Sequence, residues 1–416
     1  MPSHATYQEE KDDVTTIAPP CPQTQPDRSA GPTTVRRGRR QAVAPVPVAA
    51  PVEQVIGGVD THAETHTAAA VDLAGRTLGH ATFPTTTAGY TALLHWMTSF
   101  TTTGGEDTTG VVRIGVEGTG TYGAGLTRYL RDVAGVEVVE VDRPDRRTRR
   151  FAGKSDPIDA EAAARAALNG HAAGTPKLRT GPVEAIRALR VARSSAVSAR
   201  AQALVQMKSL ITTAPQALRE QLRALYTAPA KLITTCAALR PDPLDLAAGN
   251  PTAATEASLR ALARRHQHLS EEITEADAVL DHLVAATAPT LLKAFGVGTE
   301  VAGQLLVTAG DNPERLHSEA AFAALCGVSP VPAGSGRTDG AVRLNRGGDR
   351  QANSALHRVV ITRLRHDQRT KTYLQRRTAE GKPKRAVMRC LKRHVAREIY
   401  RLIMLDLTPA TTPRAT

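Results

Sequence analysis

The chain has 416 residues, a formal charge of +13, and only 3% aromatic residues. That length supports roughly two or three domains, with cores built mainly from Ala, Val and Leu in thin helical packing. No run of about 18 apolar residues is present and the N-terminus lacks a secretory apolar core, which excludes a membrane partner and predicts a cytoplasmic protein.

The charge is unevenly placed. From Arg337 to Arg401 there are 19 Lys and Arg against five Asp and Glu, so the rest of the chain is close to neutral. A solvated surface helix explains a short basic run, but an excess this large repels itself and calls for a polyanion. Nucleic acid is the expected partner, with association to the nucleoid if that partner is DNA. Cys21, Cys236, Cys326 and Cys390 are scattered without zinc spacing and read as buried thiols of a reducing compartment.

Residues 1–52, rich in Pro, Thr and Ala with a basic Arg36-Arg-Gly-Arg-Arg40 patch, read as a disordered basic arm. Strands are expected at Val55–Asp60, Thr67–Leu73 and Thr77–Phe83, then a helix at Tyr90–Phe100. A strand at Val111–Glu117, a helix at Gly125–Val133 and a strand at Val136–Val141 follow. Asp156 opens an Ala-rich helix running to about Leu168. The order β-β-β-α-β-α-β-α is that of an RNase H-like (RuvC-like) α/β domain, spanning 53–175. A helical coiled-coil region follows at 176–285, with long amphipathic patterns at Val183–Leu210 and Leu259–Leu283 that suit an antiparallel hairpin or a dimerising coiled coil. Residues 286–404 form a mainly α C-terminal domain, which opens on a helix–hairpin–helix-like segment at Phe295–Leu306. A tail of 405–416 ends the chain.

Four carboxylates stand where that fold converges its acids: Asp60 and Glu117 at strand ends, Asp156 and Asp159 in the first turn of a helix. Hard oxygen donors of this kind suit Mg²⁺, or Mn²⁺ in its place. An ordinary helix start, with Asp156 as N-cap, Pro157 at N1 and Asp159 at N3, accounts for the second pair taken alone. The topological agreement with Asp60 and Glu117 reverses that balance.

Two other patterns compete. Gly118-Thr-Gly120-Thr-Tyr-Gly123 after a strand, with Glu140 and Asp142 about 20 residues on, matches a dinucleotide fingerprint. A carboxylate at Glu117 beside a pyrophosphate argues against it. Asp60, His62, Glu64 and His66 alternate, so one strand face would carry all four. A transition-metal site is conceivable there, but a solvated strand edge is the simpler reading for all except Asp60.

Ser335 lies between Gly334 and Gly336 on an exposed loop, ahead of Arg337, Arg343, Arg346 and Arg350. Such loops are usually turns. This one also offers a hydroxyl nucleophile with close backbone approach and cations for a developing oxyanion.

In Gly57-Gly-Val-Asp60, Val116–Tyr122, Lys154–Ala160, Ala323–Gly336 and Gly347–Leu356, the chain resembles the DEDD transposases of insertion sequences. The resemblance covers roughly residues 55–404. It implies Mg²⁺ held by Asp60, Glu117, Asp156 and Asp159, and Ser335 as a nucleophile forming a phosphoserine link to DNA. It further implies a structured guide RNA and homodimers paired into tetramers. A RuvC-like, metal-dependent, structure-specific nuclease that uses water is the alternative reading, with Ser335 incidental.

Overall fold

The strand β1 (Val55–Thr61) is buried along its whole length, which requires cover on both faces. The computed structural model describes residues 51–102, 110–141, 155–170, 173–336, 342–345 and 347–408, all within one compact unit, Ala49–Thr416. Strand β1 pairs antiparallel with β2 (Thr65–Asp72), which pairs antiparallel with β3 (Thr77–Pro84). On its other edge β1 runs parallel to β4 (Val111–Glu117), and β4 parallel to β5 (Glu137–Val141). A two-residue β6 (Ala173–Gly174) closes the order β3-β2-β1-β4-β5-β6. This mixed sheet is an RNase H-like α/β domain, and mainly helical structure follows it.

Alternation along β1 divides the sheet's two faces. Val59 joins Leu93, Leu94 and Met97 of helix α1 (Thr87–Thr98) and Leu126 of helix α2 (Ala124–Arg128). Ile56 faces Ala164 and Ala167 of helix α3 (Asp156–Asn169). Helix α3 can sit unusually close because neither side carries bulk: a Cβ on Gly58 would fall 2.1 Å from the Ala164 nitrogen, and one on Gly115 2.5 Å from the Ala163 oxygen. Small residues thus set the distance between the helix bearing Asp156 and the strand bearing Asp60.

Helices α4 (Pro182–Thr213) and α8 (Pro251–Thr287) form an antiparallel hairpin, with α8 about 55 Å long at 1.5 Å per residue. Its far end is capped by α5 (Gln216–Arg223), α6 (Pro229–Ala237) and α7 (Pro243–Ala247), around a core that includes Met207, Leu222, Leu232 and Leu259. Its near end belongs to the C-terminal domain: Val183, Ile186, Leu280 and Val284 share one core with Phe322, Leu356 and Ile399. Residues on either side of the boundary expected at 285 therefore share one core, whereas the two cores of the sheet are built entirely from residues before 176.

That domain comprises α9 (Pro289–Leu292), α10 (Thr299–Ala309) and α11 (Glu319–Leu325), then the ribbon β7 (Pro330–Pro332) and β8 (Val342–Leu344). It ends with α12 (Arg350–His366), α13 (Gln368–Ala379) and α14 (Lys384–Leu407). Residues 175–181 strap the sheet domain onto it. Arg315 Nε donates to the Thr175 oxygen at 2.9 Å, Gly181 N to Asp311 at 2.9 Å, and Lys177 Nζ to the Val307 oxygen at 2.6 Å. Burial, aided by Arg315 and Arg179, pushes the Lys177 ammonium down to about 8. Cys236 and Cys326 are buried and Cys390 is half-buried. Residues 1–50 of the basic arm, with Cys21, and residues 409–416 of the tail lie outside the described residues.

Candidate active site

Asp60 and Glu117 end two neighbouring parallel strands, where the register Val59–Val116 places them side by side. The Thr61 hydroxyl donates to the Glu117 backbone oxygen at 2.8 Å, fixing one strand end against the other. Into this edge runs the first turn of α3, which carries Asp156 and Asp159. Ser155, not Asp156, occupies the N-cap position, and it makes no side-chain capping bond. The simple capping account expected for Asp156 therefore does not hold, although both carboxylates still gain from the positive end of the helix dipole.

Asp60 is 8% exposed and Asp159 4%. Burial pushes the Asp60 carboxyl above its ordinary value; His62 pulls it down, and the charges of Asp156 and Asp159 push it up again. A buried acid whose charge is opposed by two neighbouring acids is a suitable donor to a divalent cation, whose charge removes the conflict. Ligand atoms of Asp60, His62 and Asp156 all lie within 4.8 Å of one another. The Glu117 side chain is half-buried at the same edge.

His62 is the residue that sequence reasoning set aside. The strand does not continue through it: β1 stops at Thr61, β2 begins at Thr65, and His62 N donates to the Thr65 oxygen at 3.0 Å across the turn. Asp60, His62, Glu64 and His66 consequently do not share a strand face. His62 Nε2 instead stands 3.3 Å from Asp60 Oδ2 and 3.4 Å from Asp156 Oδ1. His66 is fully buried and stacks on Tyr90 at 5.7 Å. The signal available in sequence was the proximity of His62 to Asp60; the turn that aims it was not encoded in the alternation.

The glycine fingerprint is occupied by protein. A Cβ on Gly120 would lie 3.0 Å from the Arg179 guanidinium, and Glu140 accepts from the Thr119 hydroxyl at 2.7 Å while facing Arg315 at 3.5 Å. The acid that a dinucleotide ribose would need is thus engaged across the junction; Asp142 lies outside the described residues.

Ser335 is exposed on the segment following β7, with Gly336 in a left-handed conformation at φ +52°. The root of that ribbon is held by hydrogen bonds. Asn345 N donates to the Ser329 oxygen at 3.0 Å, and Asn353 Nδ2 to the Gly327 oxygen at 2.9 Å. Lys392 in turn donates to Asn353 at 2.8 Å. A Cβ on Gly348 would fall 2.1 Å from the Gly327 nitrogen, so two glycines let the chain cross itself there. Arg343 is exposed on β8 and Arg350 at the start of α12; Arg337 and Arg346 lie outside the described residues. In the helix–hairpin–helix-like segment Gly296 turns at φ +81°, and Glu300 in the first turn of α10 accepts from Arg190 at 2.7 Å.

A family model for DEDD transposases of the IS110 type, described as Transposase, matches residues 57–214. A second, described as Transposase IS116/IS110/IS902 family, matches residues 288–375. The chain is 27% identical over 158 residues to the insertion element IS900 uncharacterized 42 kDa protein of Mycobacterium paratuberculosis, covering 37% of this chain and 40% of that one. It is 33% identical over 94 residues to the insertion element IS110 uncharacterized 43.6 kDa protein of Streptomyces coelicolor, covering 23% of each. The matched stretches thus span less than half the length of either relative.

Proposed function

The chain belongs to the DEDD transposase family of IS110 type, and on that premise we propose that it is a DNA transposase that mobilises an insertion sequence. In this reading it cleaves and exchanges DNA strands with a divalent cation and a serine nucleophile, guided by a structured RNA. The observation that carries it is the meeting of Asp60 and Asp156 at the carboxyl edge of an RNase H-like sheet. Asp60, Glu117, Asp156 and Asp159 would hold Mg²⁺ or Mn²⁺. Such an ion supplies charge neutralisation at the scissile phosphate.

Ser335 is the proposed nucleophile. Its oxygen forms a bond to phosphorus as the bond to a deoxyribose oxygen breaks, and that oxygen leaves as a hydroxyl after taking up a proton. The phosphoserine link conserves the bond energy, so strands rejoin without an external source. Arg337, Arg343, Arg346 and Arg350 would bind DNA phosphates beside it. Homodimers paired into tetramers complete the proposal. No helix among the described residues is long and apolar enough to cross a membrane.

Trapping the covalent adduct tests this reading. Wild-type protein incubated with Mg²⁺, the element's structured RNA and element-end DNA should yield a protein–DNA adduct that survives denaturant. Ser335→Ala should yield none, with cleavage reduced at least about 1,000-fold. Near-normal cleavage by Ser335→Ala would instead identify a water-using, RuvC-like nuclease.

A further inference from the structure

The imidazole of His62 stands at the open side of the carboxylate centre and approaches two acids from different elements at once. Two donors on adjacent corners of an octahedral ion, each at about 2.1 Å, lie about 3 Å apart. The separations of 3.3 Å to Asp60 and 3.4 Å to Asp156 are close to that spacing. A surface imidazole–carboxylate contact needs only one partner and is worth at most about 1 kcal/mol. Here the backbone is fixed on both sides, by the Thr61 hydroxyl on Glu117 and by the His62 amide on Thr65. A donor held this way is aimed before any ion arrives.

We infer that His62 is a nitrogen ligand of the divalent ion held by Asp60 and Asp156, and that it tilts this centre towards Mn²⁺ over Mg²⁺. The inference rests on the metal-centre reading given above and adds to it a residue outside the four acids. Mg²⁺ keeps oxygen ligands and its own waters, whereas a first-row transition ion accepts imidazole readily. Loss of one nitrogen should therefore weaken the two ions unequally. His62 is nearly half exposed, so replacing it leaves the core intact.

The full-length protein, loaded with Mn²⁺ alone, provides the test through pulsed electron paramagnetic resonance. Wild type should show nitrogen-14 modulation from a bound imidazole, and His62→Ala should lose it. By calorimetry His62→Ala should weaken Mn²⁺ binding about 10-fold or more, while Mg²⁺ changes by less than about 3-fold. Absence of nitrogen coupling in Mn²⁺-loaded wild type, or equal weakening of both ions, overturns the inference. Asp60→Asn separates the two levels of the argument. If it weakens neither ion, the centre itself is wrong. If it abolishes binding while His62→Ala changes nothing, only the histidine ligand is.

Discussion

Asp60 and His66 each lie two residues from the turn His62–Glu64, yet burial acts on them in opposite directions. Asp60 is an acid whose charge is opposed by burial and by two neighbouring acids, which favours a bound cation. His66 is a base whose proton is opposed by burial, with the Thr65 backbone offsetting this only in part. Its ordinary value is 6.5 and the folded value lies lower. The unfolded chain therefore takes up a proton that the folded protein refuses. Stability from neutral His66 is full above pH 6.5, declines as pH falls below it, and levels off beneath the lowered value. The slope cannot exceed about 1.4 kcal/mol per pH unit for one group. Denaturant titrations between pH 7 and 5 should show this decline in wild type and a flatter profile in His66→Phe, which keeps the stack on Tyr90. An equal slope in both would place the pH dependence elsewhere.

At the scale of elements, the seating of α3 decides whether its acids reach Asp60. Its sequence, Asp-Pro at the start and Ala throughout, announces a helix, but only the facing glycines reveal how close it comes. Gly58→Ala would place a methyl group 2.1 Å from the Ala164 nitrogen and 2.2 Å from the Ala160 oxygen, both backbone atoms that cannot step aside. The cost should be about 1–3 kcal/mol by thermal unfolding. Metal affinity should fall with it as Asp156 and Asp159 move away. Gly174→Ala, where nothing lies within 4 Å, serves as the control and should stay near wild type in both measurements. The turn at His62–Glu64 taught the complementary point. Alternating polar residues fit one long strand as well as a hairpin, and pairing of β1 with β2 chose the hairpin.

Across the whole molecule, the sheet domain and the C-terminal domain are joined by a charged seam. Arg315 reaches Glu140 at 3.5 Å, and Glu140 holds the hydroxyl of Thr119, two residues beyond Glu117. A change in the C-terminal domain thus has a physical route to the loop behind the acids. Arg315→Ala should cost about 1–2 kcal/mol, less than a fully buried pair, because Glu140 is about one-third exposed. Hydrogen exchange should show faster exchange at Gly118–Thr121, with little change at the far end of the α4–α8 hairpin. Unchanged exchange in that loop would mean that the seam only glues the domains together. The basic excess between Arg337 and Arg401 belongs to this scale as well, since it concentrates the molecule's positive charge in the domain that carries Ser335.

Hydrophobic period and turn residues were enough to read the strands of the sheet domain and the long helices in chain order, because these depend on neighbours along the chain. The four acids, the Ser335 loop and the Arg-rich tract could be marked as candidates for the same reason, and their roles belong to the proposal. Three-dimensional packing alone decided the rest. It put Ser155 at the helix cap, joined both ends of the hairpin to different cores, and brought His62 between Asp60 and Asp156, about 95 residues apart in sequence. Such meetings depend on how closely two surfaces approach, and here that distance is set by two glycines and a row of alanines.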